Sequence, residues 1–316
     1  MISLVIGLEG EPKALYKAAN HLIKAGGKRL RPFLVLKSCE IVGGNTSDAL
    51  PLAAGIELLH TFTMIHDDIM DRDLKRRGMR TVHAIWGIPT ALVAGDFLFT
   101  KVYDAILRHT DLNHVPMERV LRALNAITEA NIKICEGQVL DMLFEKSEVV
   151  TEEEYFKMIG GKTAALLAAS AESGAIIGGG SESEILSLKQ FAYYGGIAFQ
   201  IVDDVLGLTA DEKVLGKPIG SDLREGKRTL IIIHALNHAN MEQRKTILSV
   251  LGSKKVSIEE TKNVVGILHR LGSIEYAISN AKRYLDMSNS QLDKFSDSPT
   301  KRLLLDLNDF IIRREY

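Results

Sequence analysis

The chain has 316 residues, 46% of them hydrophobic, and a formal net charge of −1. That length can bury a large core, and the near-neutral balance excludes the basic field that marks a nucleic-acid binder. The opening Met1-Ile2-Ser3-Leu4-Val5-Ile6-Gly7 has no basic start or long apolar core of a secretory signal, and apolar runs such as 230–233 are too short to span a membrane, so a cytoplasmic protein without a transmembrane segment is expected.

Apolar residues recur at three- and four-residue intervals over 13–25, which predicts a first helix. Gly26-Gly27-Lys28-Arg29-Leu30-Arg31-Pro32 follows, three cations beside a glycine pair, a plausible anion site with no acidic partner nearby. Cys39 and Cys135 show no metal-type spacing and read as free core thiols in a reducing compartment. After the break at Gly43-Gly44-Asn45, a helix is expected from Pro51, a residue suited to a first helical position. That apolar pattern ends in Asp67-Asp68-Ile69-Met70-Asp71, which on a helix sets Asp67 and Asp71 on one face with Asp68 beside them. Like charges at that spacing repel, whereas magnesium accepts one or two carboxylates together with phosphate oxygens and water. Arg72, Lys75, Arg76, Arg77 and Arg80 come next, and an arginine fork suits a diphosphate.

Further helices are expected over 90–108, 118–144, 152–177, 183–208, 227–239, 259–270 and 274–293, with breaks at Gly178-Gly179-Gly180 and Gly252-Ser253. Within the 183–208 pattern, Asp203-Asp204 forms a second acidic pair. It leads into a glycine-punctuated loop carrying Lys217, Asp222 and Lys227, where lysines would act as point charges for phosphate. Carboxylates beside apolar surface are costly unless paired or bound to cations, so two such clusters facing one cavity would hold hard divalent metals and a polyphosphate. Alternating strand patterns, hairpin turns, repeats and linkers are missing, which predicts one all-α domain over 1–316 with about ten or more helices.

Together these motifs resemble the trans-isoprenyl diphosphate synthases, the polyprenyl synthetase family, with the archaeal geranylgeranyl diphosphate synthases nearest. G-G-K-R-L-R-P, H-D-D-I-M-D with R-R-G, G-Q-x-x-D at 137–141, G-K-T at 161–163, F-Q-I-V-D-D and G-K-x-x-G-x-D-L all occur in order. The resemblance implies the isoprenoid synthase fold, helices around a deep central cavity, normally as a homodimer. It implies that isopentenyl diphosphate is condensed head-to-tail with allylic diphosphates to an all-trans prenyl diphosphate. Three magnesium ions per site are expected, with manganese as a possible substitute.

Carried over by position, Asp67, Asp68 and Asp71 match the first aspartate motif, with Asp67 and Asp71 as metal ligands. Asp203 matches the ligand of the further magnesium, and Asp204 supports it. Arg76, Lys162, Lys217 and Lys227 match the cations around the allylic diphosphate, with Gln138 and Asp141 beside that pocket. Lys28, Arg31, His60 and Arg77 match the isopentenyl diphosphate site. Thr163 and Gln200 match residues that present oxygen atoms to the allylic carbocation. Nucleophilic serine or cysteine is not needed, and His66 reads as a packing residue.

Leu59, Phe62 and Thr63 precede Asp67 by eight, five and four positions, where the family lines the tunnel for the growing product. Small Thr63 would let the tail pass and bulky Phe62 would form a floor; one aromatic at the fifth position, with no insertion inside D-D-x-x-D, resembles the archaeal geranylgeranyl diphosphate synthases, which implies geranylgeranyl diphosphate as the product, with farnesyl and geranylfarnesyl diphosphate as the alternatives. Gly207 departs from the family's second D-D-x-x-D. Three other readings stay open: a class I terpene cyclase, a non-catalytic subunit of a heteromeric synthase, and a metal- or phosphate-binding protein.

Overall fold

The computed structural model describes residues 9–209, 220–253 and 256–313. Their contacts divide them into two compact units. One comprises the described residues up to Thr128 together with Ala169–Lys189, and the other comprises Glu129–Ala168 with the described residues from Gln190 onward.

In the first unit, α1 (Lys13–Lys24) and α2 (Leu30–Ile41) lead to the long α3 (Leu50–Met70). Pro51 opens α3, and from Pro51 to Leu59 every residue is buried, so this helix is core on nearly all sides. A small antiparallel hairpin follows, β1 (Lys75–Arg76) and β2 (Met79–Arg80), with Arg76 opposite Met79. Then come α4 (Val82–Trp86), α5 (Ile88–His109), which packs along α3, and α6 (Met117–Phe144), which belongs to this unit up to Thr128 and to the second from Glu129.

After α6 the chain forms α7 (Glu152–Ile159), a single π-helical turn (Gly160–Ala164), α8 (Ala165–Gly178) and α9 (Glu182–Thr209). It closes with α10 (Ser221–Glu225), α11 (Leu230–His238), α12 (Met241–Val250), α13 (Ile258–Arg270), α14 (Ser273–Ser290) and α15 (Pro299–Ile312). Reciprocal side-chain and backbone bonds cap the starts of α7 (Thr151, Glu154), α12 (Asn240, Gln243) and α13 (Ser257, Glu260). The second unit's core gathers Tyr155, Ile201, Val205, Ile231 and Val264 among its buried residues.

The all-α expectation holds, with three corrections. Helices α2, α4, α10, α12 and α15 were not anticipated; α2 has apolar residues spread around its whole circumference and so shows little periodicity. The hairpin was not anticipated either. It turns on Arg77 and Gly78 with φ of 51° and 75°, positive as a two-residue hairpin turn requires, and glycine supplies one of the two at no steric cost. Third, Cys39 is buried with its thiol pushed up to about 11, chiefly by burial, but Cys135 is exposed and is not a core thiol.

No helix among the described residues is long and apolar enough to cross a membrane.

Candidate active site

The first acidic cluster sits at the C-terminal end of α3, with Asp67 and Asp68 in its last turn and Asp71 just past it. The helix dipole is negative at this end, and no basic residue occupies the last turn. Three carboxylates there are unfavourable until cations arrive. Arg76 provides one from the hairpin, its Nε donating to Asp68 Oδ1 at 2.5 Å while the guanidinium lies 3.7 Å from Asp73. The Asp68 side chain is 1% exposed. Burial raises its carboxyl to about 6, against the downward pull of Arg76. Its Oδ2 is buried with no hydrogen-bond partner.

The glycine-rich element lies against this region. Arg77 donates to the Gly26 carbonyl and reaches Met64 Sδ at 3.6 Å. Lys28 is exposed, and Arg31 is half-buried at the start of α2. His60 on α3 is held well below the ordinary imidazole value, first by burial and then by Arg31, Arg77, Arg76 and Arg29. It is therefore neutral at pH 7, with cations from two segments, the start of α2 and the hairpin, around it. Sequence reasoning assigned no role to Arg29, whose guanidinium pairs with the nearly fully buried Glu57 and donates to the Ile23 carbonyl at 2.8 Å. That contact fastens the loop to α3. A single glutamate inside a run of apolar residues was the available signal.

Of the three residues upstream of the cluster, Leu59 is fully buried, while Phe62 and Thr63 are half-buried. The Phe62 ring meets Phe99 of α5 at 5.3 Å, and Phe99 meets Tyr103 at 5.5 Å. Phe99 and Tyr103 were not singled out from sequence, since nothing local ties α5 to Phe62. His66 stacks edge-on to Phe62 at 4.7 Å and sits 3.2 Å from the Leu92 carbonyl. It packs so closely over α5 that a Cβ on Gly95 would lie 2.3 Å from its Nε2, which fits a packing role.

In the second unit the motifs converge on Asp204. Thr163 Oγ1 donates to Gln200 Oε1 at 2.7 Å, Gln200 Nε2 donates to Asp204 Oδ1 at 2.8 Å, and Tyr155 Oη donates to Asp204 Oδ2 at 2.7 Å. With its proton committed to Gln200, the Thr163 oxygen has only lone pairs to offer elsewhere. Burial and then Asp222 push the Asp204 carboxyl up to about 7, although the Gln200 and Tyr155 bonds oppose them. Tyr155 was missed because it lies on a different helix and carries no motif.

Lys162 projects from the π-helical turn and pairs with buried Asp141 on α6. The turn and α6 touch backbone to backbone. A Cβ on Gly137 would lie 2.3 Å from the Lys162 nitrogen, and one on Gly161 would lie 2.6 Å from the Lys133 carbonyl. Only glycine fits at either place, and π turns of this kind recur at functional sites. Gln138 is also buried there. Lys227 lies 2.9 Å from Glu225 and 3.7 Å from Asp222. Burial works against its charge, but Asp222, Glu225 and Asp141 outweigh it and hold the ammonium well above its ordinary value. Asp203 lies on α9 next to Asp204, and Lys217 lies outside the described residues.

Among the described residues no group of three or more metal-ligating side chains is close enough to hold an ion by itself. The donor set nonetheless fits magnesium, which takes one or two carboxylates and completes its shell with water and phosphate oxygens. Carboxylates crowded at the negative end of α3, with one buried oxygen left unbonded, meet that requirement.

Comparison with known proteins agrees with this geometry. The polyprenyl synthetase family model matches residues 12–268. The short chain isoprenyl diphosphate synthase of Methanothermobacter thermautotrophicus is 46% identical over 96% of this chain and 92% of its own length. The crystal structure of geranylgeranyl pyrophosphate synthetase from Pyrococcus horikoshii superposes with a TM-score of 0.93 at 44% identity, covering 99% of this chain and 94% of that one. A geranylgeranyl pyrophosphate synthase from Corynebacterium glutamicum, solved with isoprenyl diphosphate and magnesium, superposes with a TM-score of 0.91 at 26% identity, covering 99% and 96%. With the aspartate motifs, the arginine hairpin and the G-Q-x-x-D and G-K-T elements in place, the chain belongs to the polyprenyl synthetase family and has the isoprenoid synthase fold of these prenyltransferases.

Proposed function

We propose that the protein condenses isopentenyl diphosphate with an allylic diphosphate and releases mainly the twenty-carbon geranylgeranyl diphosphate. The observation that carries the reading is the carboxylate cluster at the negative end of α3, flanked by Arg76 and the cations around His60. Asp67, Asp71 and Asp203 would hold magnesium, three ions per site, and the bound metal would supply charge neutralisation for the departing diphosphate.

The remaining roles belong to the chain itself. Arg76 and Lys162, with Lys217 and Lys227, bind the allylic diphosphate, and Asp68 and Asp141 fix the first two of these cations in place. Lys28, Arg31 and Arg77 bind the isopentenyl diphosphate beside neutral His60, which adds no charge of its own. Thr163 and Gln200 offer oxygen lone pairs to the allylic cation, with Gln200 oriented by Asp204. The C1–oxygen bond to the diphosphate breaks, the isopentenyl double bond forms the new carbon–carbon bond at C1, and the adduct then loses a proton to the departed diphosphate. Half-buried Phe62 and Thr63 line the path of the growing tail, Leu59 is packed into the core with no open face, and Phe62, backed by Phe99, limits the tail's length.

The chain acts as one polyprenyl synthetase domain, located in the cytoplasm, and as a homodimer. The dimer is supported by α6, where Met117, Leu121, Ile132, Val139 and Leu143 form an exposed apolar stripe at alternating four- and seven-residue steps with Thr128.

Incubating the protein with magnesium, isopentenyl diphosphate and allylic primers of five, ten or fifteen carbons tests the reading. Linear elongation ending at twenty carbons supports it. A cyclic hydrocarbon would indicate a terpene cyclase instead, and no turnover with any primer would indicate a non-catalytic subunit or a binding protein.

A further inference from the structure

Helices α3 and α5 run antiparallel, and the close contacts between them fall at successive levels. Gly55 lies against Ile106, Phe62 meets Phe99, and His66 meets Gly95, so each step along α3 toward the aspartates is matched by a step back along α5. The His66 level is one helical turn, about 6 Å, nearer to Asp67 than the Phe62 level.

At the His66 level the two helices are fitted to one another. A Cβ on Gly95 would lie 2.3 Å from His66 Nε2 and 2.5 Å from its Cδ2, so the imidazole fills the space that a larger residue at 95 would need. Its Nε2 lies 3.2 Å from the Leu92 carbonyl, which can only accept, so this nitrogen carries the proton and donates. Fit and bond together fix the ring. Its edge contact with Phe62, 4.7 Å between centroids at 64°, then closes the space on the aspartate side of the phenyl ring. Phe99 meets the same phenyl ring from α5.

We infer that His66 is a positioning residue for product length: wedged over Gly95 and tied to the Leu92 carbonyl, it holds Phe62 at the level where that ring stops the growing chain. His66 itself need not touch the product. Gly95 is the other half of the device, because a side chain there would evict the imidazole. This inference rests on the prenyltransferase reading above and, within it, on Phe62 as the floor.

The test is the chain-length profile of the products, separated by chromatography after reaction of the protein with magnesium, farnesyl diphosphate and isopentenyl diphosphate. His66→Ala opens the space beside Phe62, so the ring can move out of the path, and the main product should shift from twenty carbons to twenty-five or more. His66→Gln keeps an amide nitrogen that can reach Leu92 and should keep a mainly twenty-carbon product. Gly95→Ala evicts the imidazole from the α5 side and should shift the profile in the same direction, though less, since its methyl group fills part of the vacated space. In a Phe62→Ala background, adding His66→Ala should lengthen the product no further, because the ring through which His66 acts is gone. A merely structural role would lower melting temperature or rate and leave the profile at twenty carbons. A wild-type profile in folded His66→Ala or, should that variant not fold, in Gly95→Ala, while Phe62→Ala makes longer chains, would overturn the inference alone. An unchanged profile in Phe62→Ala as well would overturn both the inference and the floor on which it rests. Absence of any linear product from the wild type would overturn the prenyltransferase reading itself.

Discussion

Asp68 and Asp204 are both buried aspartates near the end of a long helix, yet their partners differ. Asp68 is held by the guanidinium of Arg76, an ion pair set at the negative end of α3. Asp204 accepts its bonds from a phenol and an amide, neutral groups that can serve the carboxyl whether or not it carries a proton. Burial raises both, to about 6 and about 7. The first region therefore concentrates charge for a charged ligand. The second uses its buried carboxyl to orient Gln200, which in turn accepts from Thr163.

The largest effect should come from the charged side of that contrast. Asp67→Ala is expected to lower kcat by about 10²- to 10³-fold without loss of helical content, as removal of one electrostatic contributor does in other enzymes. Asp204→Asn, measured in the same steady-state assay, should cost well under that. Equal losses would erase the distinction between the two regions.

Next is stability. Arg76→Met leaves the Asp68 carboxylate buried without its counter-charge and should destabilise the protein by about 3 kcal/mol in urea unfolding. Arg76→Met combined with Asp68→Leu should recover much of that loss.

Product length comes third. Phe62→Ala removes the ring that meets Phe99, so chromatography of the products should show chains longer than twenty carbons. An unchanged distribution would remove Phe62 from the account.

The smallest effect concerns pH. Asp204 is raised in the folded protein, so the folded state keeps a proton that the unfolded chain has already released. Its contribution to stability is present below the ordinary carboxylate range and is lost as pH rises to about 7. The melting temperature of metal-free Asp204→Asn should thus gain on the wild type between pH 4 and pH 7, and parallel curves would contradict the assignment.

Much of this was legible from sequence, for identifiable reasons. Asp67, Asp71, Arg76 and Arg77 lie within eleven residues, so one helix end and one turn bring them together, and their pattern is local. Long amphipathic helices such as α5, α6 and α9 show the period that marks them. The contacts of Tyr155 with Asp204, Phe99 with Phe62 and Asp222 with Gly207 depend on tertiary packing between distant segments, and no local period records them. The hairpin escaped because its strands are two residues each, too short to alternate. The start of α12 was readable, since Asn240 and Gln243 form a capping box, but the helix behind it has weak apolar periodicity.

The most direct test of the account is the magnesium dependence of elongation from farnesyl diphosphate and isopentenyl diphosphate. The account predicts a single addition to a twenty-carbon linear diphosphate with magnesium, and none once the metal is chelated. Product formed equally well after chelation, or no linear product at any magnesium concentration, would contradict it.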